Sequence, residues 1–400
     1  MLDGLEDVPW AKLRHAQGPA DDVPDLIRDL ASEDDEPRAR SQYDLYGTLW
    51  SHGTVCEAAP PAIPFLVELL EHAEHVDRPW LLIYLSALAN GASHHEVHQE
   101  HGIYEGERNT PEFAAKIAQE QSWVGDATLA VRKGLQTYRQ LLSHDDPGTR
   151  ASAAFLLGGL RDDAPTTIAV LGGRLASESV PVVRASIAEA LGSLGDEPLT
   201  RMRLLDLVEH DNAPYVRWAA ARSLAFLATT DSDDAVVESL MFALKDPSAI
   251  EPLHAESPWA DENTPAATAR ALLAIGRDKA SHTVPALAKL LAGSDPSSAL
   301  AIAETIVGLA FDPTEPAAAE FEELDSTQQL VVRTLAHSDA AWMMGANMSS
   351  LLDRHHLPRS SASLQTFAGL ATRRVGGDAL RGMGPGDSMS GMRIPSDWLE

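Results

Sequence analysis

The 400-residue chain has a single cysteine, Cys56. One thiol excludes any disulfide within the chain and gives no sign of an oxidising compartment. Positive charge is also scarce: 31 Lys and Arg stand against 59 Asp and Glu, for a formal net charge of -28. Nucleic acid and anionic membranes are gripped by clustered Lys and Arg, so a field of this sign opposes both. Long apolar runs are missing, and the longest, around residues 80–89, falls far short of the ~20 residues that span a bilayer. The opening residues, MLDGLEDVPWAK, hold no apolar core of the kind a secretory signal needs. A cytoplasmic protein that engages neither nucleic acid nor membrane is the expectation. Strand signals are weak as well, because Val and Ile are scattered and apolar and polar residues do not alternate cleanly.

Helical spacing is everywhere, and it carries a long fixed period. Pro147, Pro181, Pro214 and Pro247 lie 34, 33 and 33 residues apart, and the first three are each followed three residues later by an arginine: Arg150, Arg184 and Arg217. Aligned on these prolines, PGTRASAAFLLGGL, PVVRASIAEALGSL and PYVRWAAARSLAFL place Ala154, Ala188 and Ala221 at one level and Leu157, Leu191 and Leu224 at the next. A period of this length marks a repeat architecture, in which each unit covers its neighbour's apolar face. Each unit reads as helix, turn, helix: proline in the first helical turn loses no backbone donor, and Gly195 just past a second helix fits a left-handed cap. Units fall at 23–50, 61–89, 135–160, 166–195, 201–227, 236–276, 284–309 and 327–352. They predict an all-α solenoid of about eight helix pairs over 23–373, preceded by a cap segment at 1–22. Two insertions interrupt the repeat: 248–265 reads as a surface loop, about 90–125 as a longer departure projecting from one edge, and the Gly-, Met- and Ser-rich stretch 374–400 reads as a disordered tail.

The units approximate the pattern D-P-x-V-R-x-x-A-A-x-A-L-G-x-L-G-D, best in PVVRASIAEALGSLGD from Pro181 and more loosely from Pro147 and Pro214. In this they resemble the bacterial short HEAT-like repeats of the phycobilisome-lyase-like class. The resemblance implies a right-handed α-solenoid with second helices lining a concave face, and it casts Arg150, Arg184 and Arg217 as structural rungs that meet the turn aspartates. The N-terminal block, MLDGLEDVPWAK onward with YDLYGTLWSHGTVCEAAPPAIPFLVELL, is similar to a group of bacterial HEAT-repeat proteins that resemble binding partners or immunity proteins of secreted toxins.

Enzymes built on such repeats carry functional residues that this chain lacks at the matching positions. Deoxyhypusine hydroxylases carry His-Glu pairs directly after the repeat arginine. Those positions here are Ala151-Ser152, Ala185-Ser186 and Trp218-Ala219, which cannot hold a di-iron centre. HEAT-like DNA glycosylases use a basic concave face, against which the net charge argues. In HHEVHQEH, His94, His98 and His101 are spaced i, i+4 and i+7, so one helix would bring three imidazoles to one face, a suitable zinc ligand set. The metalloprotease motif fails by one residue, since Gln99 stands where its second histidine belongs, and a solvated polar insertion accounts for the same residues. A metal-dependent enzyme centred on His94–His101 is the alternative reading. Cys56 with His52, four residues away, fits a thiol nucleophile only if the two share a helix face; an inert cysteine is the competing reading. No cofactor is expected.

The repeat register singles out a different set of residues. Offsets one, five and nine after the arginine are normally exposed on the second helix, and here they read Ala151, Phe155, Gly159; Ala185, Glu189, Ser193; and Trp218, Arg222, Phe226. Aromatic and charged side chains at such positions have the composition of interaction hot spots, which makes Phe155, Glu189, Trp218, Arg222 and Phe226 the candidate partner-binding residues. Packing against a neighbouring repeat, or beneath the 248–265 insertion, is the other reading of Trp218 and Phe226. Tyr43, Tyr46 and Trp50 form an aromatic stripe read as the cap of the first repeat. The expected function is a non-enzymatic protein-binding scaffold whose partner has a basic surface, an immunity protein being its specific form. The sequence leaves the oligomeric state open.

Overall fold

A computed structural model of the protein describes residues 1–99, 104–227, 234–260, 262–315, 318 and 320–370. The predicted tail, 374–400, lies outside the described residues. From the N-terminus the helices are α1 (Val23–Asp29), α2 (Asp35–Thr48), α3 (Ala59–His72), α4 (Arg78–Ala89), α5 (His94–His98), α6 (Pro111–Lys133) and α7 (Leu135–Leu141). They continue as α8 (Pro147–Gly159), α9 (Ala164–Leu175), α10 (Pro181–Leu194), α11 (Pro198–His210), α12 (Pro214–Phe226) and α13 (Asp234–Lys245). The remainder are α14 (Glu251–Ala255), α15 (Thr264–Ile275), α16 (Ala280–Leu291), α17 (Pro296–Ala310), α18 (Ser326–His337), α19 (Asp339–Trp342), α20 (Gly345–Arg354) and α21 (Ser361–Phe367). The chain is an all-α solenoid. Its second helices α4, α8, α10, α12, α15 and α17 pack successively side by side, and α9, α11, α13 and α16 back them.

Local sequence sets the helix starts. Proline occupies the first turn of α8, α10, α11 and α12, where its missing N–H costs nothing. Asp146 caps α8, its carboxylate accepting from the Thr149 amide at 2.7 Å. The α10 and α12 turns use another device. Glu178 and Asp211, each three residues before the helix proline, accept from the Val180 and Ala213 amides at 2.9 Å. The same carboxylates receive bidentate hydrogen bonds from the previous repeat: Arg150 reaches Glu178 at 2.8 and 3.1 Å, and Arg184 reaches Asp211 at 2.9 and 2.7 Å. Each arginine also donates to a carbonyl of its own turn, Arg150 to His144 and Arg184 to Ser179. One side chain therefore ties its own turn to the next.

The ladder stops at the third arginine. Arg217 donates to the Asp211 carbonyl at 2.7 Å and has no carboxylate partner among the described residues. Three residues before Pro247 stands Leu244, a buried apolar residue in place of a turn carboxylate. There the register breaks, and the connection from α13 to α15 runs over 246–263, where the α11–α12 connection needs only 211–213. This long connection, called the strap below, contains α14.

The first insertion is shorter than 90–125. Thr110 accepts from the Phe113 amide at 3.2 Å and starts α6, which packs on α3 and α4 as part of the solenoid. Two small hairpins flank it on the N-terminal side, β1 (Arg14–His15) with β2 (Gly18–Pro19) and β3 (Trp50–Ser51) with β4 (Thr54–Val55). Of the aromatic stripe, Tyr46 and Trp50 stack edge to face and join Trp80 and Tyr84, whereas Tyr43 is 81% exposed and takes no part.

Apolar burial divides into two clusters. One runs from Leu5 to Leu194 and the other from Ala185 to Ala368, so α10 supplies residues to both.

Candidate protein-binding face

The second helices α8, α10 and α12 present their offset residues on one face, and the strap lies on that face. Its Trp259 indole N–H donates to Ser186 Oγ at 2.9 Å, and the Ser186 hydroxyl in turn donates to the Ala151 carbonyl at 2.7 Å. Phe155 meets the indole edge to face, with ring centroids 4.9 Å apart. Gly158 makes the seat possible, since a Cβ there would lie 2.9 Å from Ala190 Cα and 3.2 Å from the far edge of the indole. Helix packing and the aromatic contact both depend on that missing methyl.

Five residues earlier in the strap, His254 is buried 4.8 Å from the Trp218 ring and 6.0 Å from that of Tyr215. Its Nδ1 lies 3.1 Å from Thr264 Oγ1. Trp218 is fully buried, and its indole N–H donates to Thr268 Oγ1 at 2.8 Å. The Arg222 guanidinium sits 5.1 Å over the Trp218 ring and pairs with Glu189.

The expected exposure of these side chains is therefore corrected. Trp218 and Glu189 are buried, and Phe155 and Arg222 are half-covered. Two things close the stripe: the strap comes down on α8 to α12, and α15 stands close enough to accept the Trp218 hydrogen bond. Phe226, at the end of α12, is 57% exposed. Sequence reasoning missed Trp259, His254, Ser186 and Gly158. The available signal was Trp259 itself, the one aromatic in an otherwise polar, proline-rich insertion.

The histidine-rich stretch is arranged differently from its sequence pattern. α5 ends at His98 and spans five residues, while His101 lies outside the described residues. His98 Nδ1 donates to the His94 carbonyl at 2.8 Å. The buried contact is made by His95, whose Nδ1 lies 2.6 Å from Glu120 Oε1; Glu120 also accepts from Ser93 Oγ and the His95 amide. Burial opposes ionisation of Glu120, but these bonds and the neighbouring imidazole outweigh it and hold its pKa below the usual value.

His94, His98 and Glu120 border a cavity of about 420 Å3 together with His15, His52 and Cys56. Among the described residues no three His, Cys, Asp or Glu side chains are grouped to hold a metal ion. His52 and Cys56 share no helix, since His52 sits at the tip of the β3–β4 hairpin with φ 49°. Burial pushes the Cys56 thiol up to about 11, so at neutral pH it is protonated and a poor nucleophile.

Comparison with known proteins agrees with the repeat geometry. Residues 135–225, from α7 close to the end of α12, match the sequence model of HEAT repeats. No match was found among curated proteins. Among solved structures, an engineered protein determined by the Northeast Structural Genomics Consortium is similar at 18% identity, covering 88% of this chain and 98% of that one, with a TM-score of 0.34. A likeness at that level carries no weight for fold or function. No helix among the described residues is long and apolar enough to cross a membrane.

Proposed function

We propose that this chain is a non-enzymatic scaffold that holds a protein partner on the face lined by α8, α10 and α12. One observation carries the reading: that face already holds a stretch of polypeptide, the strap, through an aromatic contact, an indole hydrogen bond and a buried imidazole. Second helices of HEAT repeats with aromatic and charged residues at their offset positions provide the surface, and Phe226 extends it in the open. With a net charge of -28 the complementary partner has a basic surface, as a secreted toxin neutralised by an immunity protein would.

The test is cross-linked capture of partners by the purified chain, with wild type and Phe226→Asp compared at low and high salt. Phe226 is exposed, so its replacement leaves the core alone. The expected outcome is at least a tenfold loss of partner with Phe226→Asp, and weaker capture at high salt, while circular dichroism is unchanged. Equal recovery by both proteins places the partner elsewhere.

A further inference from the structure

We infer that the seat of Trp259 is a recognition pocket for a tryptophan in a partner segment, and that the strap is its resident, displaceable occupant. This rests on the scaffold reading above and names what the partner brings to the same face. The strap is not needed to connect its own repeat, because the other second helices are reached through a few residues. It instead crosses back to helices of earlier repeats, and its indole bonds to a serine 73 residues upstream. A peptide laid across a helical face and anchored by one half-buried aromatic is a familiar mode of recognition.

The pocket itself defines the occupant. Phe155 offers an edge-to-face wall, Gly158 the open floor and Ser186 Oγ an acceptor for an N–H on a large flat ring. Phenylalanine lacks that donor, so tryptophan fits where phenylalanine leaves Ser186 with one bond fewer. Two of the strap's acids, Glu251 and Glu256, are exposed and stay out of the pocket, whereas Glu262 pairs with Arg270. A competing segment needs the indole and not those carboxylates, and on so acidic a chain lysines beside the tryptophan favour it. The occupant is therefore a tryptophan-bearing segment with basic flanks.

Displacement has a definite cost. A tethered segment acts at an effective concentration in the mM range, so a free peptide competes with the strap and binds the intact chain weakly. Removing the resident indole removes the competition.

The probe is a synthetic peptide of strap residues 250–262 with lysine at the positions of Glu251 and Glu256, titrated by calorimetry into wild type and Trp259→Ala. The expected result is binding to Trp259→Ala at least tenfold tighter than to wild type, lost when the peptide's tryptophan is replaced by alanine. Native-like Trp259→Ala that binds no peptide, or binds both peptides equally, overturns the proposal. Hydrogen exchange on the wild-type protein keeps the question open to test should Trp259→Ala fail to fold. Strap amides that exchange well before those of α10 and α12 support displacement; strap amides that exchange only with global unfolding reject it. Peptide binding with no effect of Phe226→Asp on partner capture leaves the pocket standing and removes the scaffold reading, and the converse separates the two the other way.

Discussion

Glu178 is the most heavily committed carboxylate in the ladder, receiving Arg150, Arg174 and the Val180 amide while its side chain is 1% exposed. Burial resists its ionisation, yet these donors win and bring its pKa from 4.5 to about 2. A depressed pKa adds stability that is complete above about pH 4.5 and fades as the pH falls towards 2, because the unfolded chain takes up the proton first. Urea midpoints measured from pH 6 to pH 2.5 should therefore fall, and in Glu178→Gln this acid sensitivity should be reduced. Arg150→Ala leaves the buried carboxylate to Arg174 and the Val180 amide and should cost about 1.5–3 kcal/mol in the same assay. The fixed period picked out the arginines, and the resemblance to HEAT-like repeats implied their pairing with a turn carboxylate, which Arg150 and Arg184 make and Arg217 does not. Trp218 was harder: an offset in a repeat says which side of a helix a residue takes, not what comes to lie on that side. Its cover is contributed by His254 and Thr268, 36 and 50 residues further on.

Helix ends were readable where the chemistry is local. Asp146 ahead of Pro147 is a cap followed by a first-turn proline, and its carboxylate accepts from both the amide and the hydroxyl of Thr149. Asp146→Ala should lower stability by about 1 kcal/mol without changing helix content, as followed by chemical denaturation and circular dichroism. The same signal, Thr110 before Pro111, marks the start of α6, but the histidines upstream drew the whole of 90–125 into one insertion. The β3–β4 hairpin escaped for another reason. Two-residue strands leave no alternation to detect, and the remaining sign is its turn, where His52 and Gly53 take φ of 49° and 89°. A histidine there is unusual, whereas the glycine is what such a turn requires. That turn separates His52 from Cys56, so the spacing of four that suggested a helical pair has no helix beneath it.

At the scale of the whole molecule, the period fixes a solenoid because each unit needs a neighbour to cover its apolar side. The period is silent about anything that departs from it, and the strap departs from it. Contacts in a repeat array are mostly between adjacent units, so such arrays tend to melt piece by piece. Here the two apolar clusters meet at α10 and at Leu175 of α9, and Trp259, carried by the C-terminal half, packs into the N-terminal one. The indole thus acts as a stitch between halves that would otherwise lose their structure separately. Wild-type protein should unfold in a single calorimetric transition, and Trp259→Ala should split it into two. A ligand that claims the indole's seat would then do more than occupy a surface: it would release one half of the array from the other, turning a binding event into a loss of cooperativity.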